Sequence, residues 1–174
     1  MAVRLFSEQG YEQTTVDQIG AALGMSGRNV FRYFATKEDI VVGAMAQAGE
    51  DIADRLAARP ADEAPWDALR AAMDEPLRSL ADDGGIALAR TRLLATTPAL
   101  RTAQRDKHAQ WKGLLAPILA GRFEGGEKER NLQAEAVVLA FLACMDIAVS
   151  EWASRSDATE LGPLLDAAIR AVRR

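Results

Sequence analysis

Cysteine and histidine occur once each in the 174 residues, at Cys144 and His108. A single cysteine excludes an internal disulfide and behaves as a small buried hydrophobe in a reducing compartment. With one residue of each type, and with Asp82-Asp83 forming no ligand set by itself, no metal site is expected. No glycine-rich phosphate loop, nucleophile elbow or Cys and His pairing is present, so neither a cofactor nor enzymatic activity is expected. Aromatic residues make up only 6% of the chain, and no segment alternates apolar and polar residues at the period of a strand. The longest apolar run, residues 136–145, stops at Asp146 and is too short to span a bilayer, which argues against a membrane partner. Arg4 and Glu8 interrupt any apolar stretch at the amino end, so no signal peptide is expected and the location is read as cytoplasmic.

What is present favours helices. The chain is 49% apolar, rich in Ala, Leu, Arg and Glu, and long enough to bury a sizeable core. The predicted fold is all-α, with about nine helices.

The first 37 residues carry the clearest local signals. Gly10 follows the apolar-periodic Val3, Leu5 and Phe6 and closes a first helix near Gln9. Thr15 with Gln18 forms a capping-box pattern that opens a second helix, and Gly24 ends it. Ser26 caps a third helix over 27–33. Val16, Ile19 and Leu23 share one face and are expected to pack on Val30 and Phe34, which turns Arg28, Asn29 and Arg32 outward. This is a helix-turn-helix. Arg and Asn in the first turn of an exposed helix offer paired hydrogen bonds to guanine and adenine edges, so Arg28 and Asn29 are the predicted base readers. Between Gly24 and Lys37 there are three cations, Arg28, Arg32 and Lys37, and no acidic residue. The local field therefore attracts phosphate although the whole chain carries a net charge of −4. Thr15 and Tyr33 are expected to hydrogen-bond phosphates, and Lys37 to add a point charge.

The spaced set of Gly10, Thr14-Thr15-Val16, Ile19, Leu23-Gly24-Met25-Ser26 and Tyr33-Phe34 with Lys37 resembles the DNA-binding signature of the TetR family of bacterial transcription regulators. The resemblance implies that the helix holding Ser26, Gly27, Arg28 and Asn29 enters the major groove, while the positions of Tyr33 and Lys37 touch phosphates. Phe31 departs from the pattern, since the family usually has a tyrosine there, and it is expected only to pack. The run from Ser26 to Phe34 looks like an actinobacterial subgroup that includes the mycofactocin-type regulators, some of which respond to acyl-CoA. Family members normally carry a basic arm before the residues matching Ala2 to Phe6. This chain begins inside its first helix, so either its start is truncated or the protein lacks the arm and some phosphate and minor-groove contacts.

Residues 1–45 are read as the DNA-binding domain and 46–174 as a domain for effector binding and dimerisation. A fourth helix from Thr36 to about Pro60 connects them, with Gly43 and Gly49 as soft points. The fifth carries Trp66, Leu69, Met73, Leu77 and Leu80 and ends at Gly84-Gly85. The sixth spans 86–96, and the seventh runs from Leu100 to about Arg122 with a bend at Pro117. The eighth runs from about Leu132 to Ser154 and is apolar on two sides. One stripe holds Val138, Phe141, Met145, Val149 and Trp152, the other Ala136, Leu139, Ala140, Ala143 and Ile147. A chain this small covers only one of them, so the second is expected to meet a partner subunit. The ninth starts at Gly162-Pro163 and ends in Arg170, Arg173 and Arg174. The eighth and ninth helices should pair in a homodimer, and two-fold symmetry then calls for a near-palindromic double-stranded DNA operator.

Trp66, Met73, Leu77, Leu94, Trp111, Phe141 and Met145 are large apolar residues on converging helices and are candidates for lining a small-molecule cavity. Arg90 is the candidate to hold an anionic group. His108 is read as a surface residue. Together these features predict a ligand-responsive repressor. The alternatives are a DNA-binding dimer without an effector, or a helical ligand carrier with a vestigial helix-turn-helix.

Overall fold

Eleven helices and no strand form among the described residues, 1–81, 85–155 and 160–173, of a computed structural model of the chain. The predicted helix end at Gly84, the Asp82-Asp83 pair and Arg174 lie outside those residues. The amino-terminal part holds α1 (Ala2–Gln9), α2 (Val16–Ala22), α3 (Gly27–Tyr33) and α4 (Lys37–Val42). Then follow α5 (Ala44–Ala57), α6 (Pro65–Ala72), α7 (Asp74–Ala81), α8 (Ile86–Thr96), α9 (Pro98–Ala120), α10 (Glu127–Ser154) and α11 (Leu161–Val172).

Each of the nine predicted helices is there, and two of them are interrupted. The fourth breaks at Gly43 into α4 and α5. The fifth breaks at Met73 into α6 and α7. Pro76 explains the second break: it has no N–H for the Ala72 carbonyl, and its ring crowds the carbonyl four residues back. Pro117, by contrast, lies inside an uninterrupted α9. The start of α10 at Glu127 is earlier than the expected Leu132, with Glu127 and Glu129 placing carboxylates at the positive end of the helix dipole.

Two hydrophobic clusters organise the molecule. The larger is built from α5, α6, α7, α9, α10 and α11, around fully buried Leu56, Leu69, Leu119, Val138 and Leu165. The smaller joins Phe6, Tyr11, Ile19, Val41 and Val42 of the amino-terminal helices to Leu93, Leu94 and Leu100 of α8 and α9. The core of the amino-terminal unit is thus completed by side chains from the second part of the chain. Arg122 fastens the loop after α5 by donating hydrogen bonds to the carbonyls of Leu56, Arg59, Pro60 and Glu63, capping that helix end.

Helix α10 is long and apolar enough by composition to cross a membrane, with a mean hydropathy of 1.9 over its best window. Here one side of it is in the larger core and the other carries exposed Leu132, Leu139 and Ile147, with Ala136 and Ala143 on the same face. The second apolar stripe is therefore uncovered within one chain, as its pattern predicted.

Candidate nucleic-acid interface and internal cavity

The close approach of α2 and α3 depends on two positions without a side chain. A Cβ on Gly20 would fall 2.8 Å from the Met25 carbonyl and 2.9 Å from the Gly27 amide, and one on Gly27 would collide with Asp17. Thr15 caps α2 through the predicted box: its Oγ1 accepts from the Gln18 amide at 3.2 Å, and its own amide donates to Gln18 Oε1 at 2.7 Å. Gly24 makes the turn at φ +69°, a conformation suited to glycine. Ser26 then caps α3 by accepting from the Asn29 amide at 3.3 Å.

Ile19 and Val30 seal the contact, both buried. Leu23 does not join them: α2 ends one residue earlier, which turns Leu23 out of register and leaves it 46% exposed. Thr15, Ser26, Arg28, Asn29, Arg32 and Tyr33 are all exposed. No hydrogen bond or ion pair among the described residues holds the side chain of Arg28 or Asn29. Arg32 lies over the Tyr33 ring, 5.0 Å from its centre, and donates to its hydroxyl oxygen at 3.0 Å. That leaves the tyrosine O–H free to donate outward.

Three expectations are corrected here. Gly27 is buried against α2, so it spaces the helices and does not present itself to a ligand. Lys37 is turned inward: its ammonium donates to the Tyr11 carbonyl and lies over the Tyr11 and Phe6 rings, 4.3 and 5.6 Å from their centres. Those partners tie α4 to the segment after α1. Phe31 does not pack inward and is 52% exposed on the outer face of α3. Beside Lys37, the Tyr11 hydroxyl donates to Glu38 Oε1 at 2.8 Å. Burial first, then that hydrogen bond and the charges of Glu38 and Glu12, push its pKa well above the usual tyrosine value.

The second site is a cavity of about 450 Å³ bounded by α5, α7, α8, α9 and α10. Six of the eight predicted lining residues border it: Met73, Leu77, Arg90, Leu94, Trp111 and Met145. Trp66 and Phe141 do not. They pack against each other with ring centres 6.3 Å apart inside the larger core, which is the ordinary fate of apolar residues at helical spacing. Residues missed from the sequence include Met45, Ile52, Gln104, His108 and Asp146. His108 is 9% exposed, so the surface placement is wrong. Its register gave a clue: it lies three residues before Trp111, on the same face, and the two rings are 5.6 Å apart.

The cavity wall belongs to both hydrophobic clusters. Leu94 is a member of the smaller one, and Met45 packs against both. Trp111 Nε1 donates to the Met45 carbonyl at 2.7 Å, and a Cβ on Gly49 would strike the Trp111 ring. Cys144 is buried outside the lining, its thiol pushed upward in pKa by that burial.

The family model described as bacterial regulatory proteins, tetR family, matches residues 1–44, and the one described as MftR C-terminal domain matches 63–174. The HTH-type transcriptional regulator TcmR of Streptomyces glaucescens is 33% identical over 162 residues, covering 90% of this chain and 71% of that protein. The HTH-type transcriptional repressor AcnR of Corynebacterium efficiens is 28% identical over 173 residues, covering 99% of this chain and 89% of that protein. Among solved structures, the transcriptional regulator FadR from Bacillus subtilis in complex with stearoyl-CoA superposes with a TM-score of 0.64 at 19% identity. The match covers 97% of this chain and 92% of that one.

Proposed function

The chain belongs to the TetR family of bacterial regulatory proteins, and from that premise we infer a sequence-specific DNA-binding repressor that a small apolar or acyl-type molecule releases from its operator. It is a transcriptional regulator, not an enzyme. One observation carries the DNA-binding assignment to particular residues: α3 exposes Arg28, Asn29, Arg32 and Tyr33 on a surface without a carboxylate from Gly24 to Lys37. In this reading Arg28 and Asn29 contact base edges, while Arg32, Tyr33, Thr15 and Ser26 contact phosphates. Lys37 supports that surface from behind.

A homodimer forms through α10 and α11, the exposed Leu132, Leu139 and Ile147 being covered by the same stripe of the partner subunit. Two copies of α3 then address successive major grooves about 34 to 36 Å apart, and the operator is a near-palindrome. The regulator acts on double-stranded DNA in the cytoplasm.

The cavity takes the effector, and its volume is within the range of small-molecule sites, about 300 to 1,000 Å³. The similar fold of a regulator crystallised with stearoyl-CoA supports an acyl-type ligand class. An open cavity also speaks for an effector over a dimer without one. Release requires the ligand to bind better to the form whose recognition helices are misaligned. Leu94 and Met45, which touch both the cavity and the core beneath α1 and α4, are the proposed connection. A gel-shift titration tests this reading: a ligand shown to bind the protein should weaken operator affinity by a coupling of about 1 to 3 kcal/mol. Unchanged operator affinity would refute the release mechanism.

A further inference from the structure

One fully buried polar atom of a cavity-lining residue has no hydrogen-bond partner among the described residues. His108 on α9 is nine-tenths buried, and its Nε2 has no hydrogen-bond partner among the described residues. Its Nδ1 lies 3.5 Å from Oδ2 of Asp146 on α10, whose Oδ1 accepts from Gln104 Nε2 at 3.1 Å. All three residues border the cavity. A neutral ring with its proton on Nδ1, toward the Asp146 carboxylate, would leave a lone pair on Nε2. A buried acceptor without a donor is costly, and a ligand that brings one removes the cost.

We propose that this cavity selects a neutral amphiphile bearing a hydroxyl group, an alcohol or a phenol, whose O–H donates to His108 Nε2 while its apolar body fills the remaining space. The inference rests on reading the cavity as the effector site and narrows the apolar or acyl-type class to molecules that carry a hydroxyl group. Nε2 lies within the wall with almost no accessible surface, so lining side chains must give way for the donor to reach it. Met45, Met73 and Met145 share that wall and, being unbranched, repack at little cost. At Nε2 a carboxylate has no proton to give and would meet both the lone pair and the charge of Asp146. Arg55 and Arg90 border the same cavity, and an anion held there would leave Nε2 without a donor. An ether offers only an acceptor.

The test uses the full chain and three matched probes: 1-octanol, methyl octyl ether and octanoate. Because His108 is the only histidine, one pair of imidazole nitrogen resonances reports directly on its tautomer and hydrogen bonding. The expected spectrum shows the proton on Nδ1 in the free protein and a shift of the Nε2 signal when 1-octanol is added, but not with the ether. By calorimetry 1-octanol should bind about tenfold more tightly than the ether, the worth of one hydrogen bond, and octanoate more weakly than 1-octanol. His108→Leu should erase the preference for the alcohol, and His108→Gln, whose amide oxygen still accepts, should keep it. Should His108→Leu fail to fold, the spectrum and His108→Gln still decide. A proton on Nε2 in the free protein, equal binding of alcohol and ether, or tightest binding of octanoate would overturn the hydroxyl assignment alone. Binding of none of the three by the folded protein would overturn the effector cavity as well.

Discussion

Gly20 and Gly27 show what single residues contribute here. The backbones of α2 and α3 meet where Gly20 has no side chain, and the atoms a Cβ would strike are themselves backbone and cannot swing aside. Gly20→Ala should therefore lower the unfolding free energy by about 1 to 3 kcal/mol, measured by urea titration, and weaken binding to every duplex alike. This role was not legible in sequence, because it arises from the crossing of two helices. Gly24, whose signal is local, was legible as a helix stop. The same division separates Lys37, whose inward turn depends on Tyr11 far away in the chain, from Thr15 and Ser26, whose caps are contacts within three residues. Tyr11 provides a test by pH. Its folded pKa is raised, so the folded state keeps the proton after the unfolded chain, near its ordinary value of 10, begins to lose it. The stability it contributes is complete below about pH 10 and falls as pH rises above that. Tyr11→Phe should flatten this alkaline decline in chemical denaturation; an unchanged slope would remove Tyr11 as its source.

At the scale of whole helices, periodicity and caps located nearly everything, since an amphipathic stripe is read from the order of residues alone. The breaks at Gly43 and Met73 were harder. Both interrupt stripes that continue across them, so apolar spacing predicts one helix where backbone geometry makes two. Pro76 was the available signal for the second break. The two-sided character of α10 was read correctly for a simple reason: a stripe of Leu, Ala and Ile that the chain is too small to cover has to remain exposed in the monomer. Ile147→Glu places a charge on that exposed stripe, 65% exposed in the single chain, without touching the larger core. Light scattering after size exclusion should show a monomer, and operator affinity should fall by well over tenfold because one half-site alone is held. A dimer of undiminished affinity would mean that another face pairs the subunits.

Across the whole molecule, the two hydrophobic clusters share a border at the cavity. In the proposed mechanism a ligand filling the cavity would push on Leu94, which belongs to the core on which α1 and α4 rest. Leu94→Ala should reduce the ligand-induced loss of operator affinity relative to the same variant without ligand, read by repeating the gel-shift titration at saturating ligand. An undiminished ligand response would place the connection elsewhere. The cavity was foreseen in six of its lining residues and missed in others: Trp66 and Phe141 found each other, while His108 and Asp146 were not foreseen in its wall. Periodicity identifies an apolar face but not which members of it are left without a packing partner.

In the proposed reading α3 recognises DNA through Arg28 and Asn29. The most direct measurement compares the parent chain with the Arg28→Ala, Asn29→Ala double variant by fluorescence anisotropy, on a duplex selected from a random pool and on a scrambled one, over a range of salt. The parent should prefer the selected duplex by about 10³-fold or more, and the double variant should lose about 1 to 3 kcal/mol of that preference per contact while keeping its salt-dependent affinity for the scrambled duplex. Undiminished discrimination in the double variant would contradict the account.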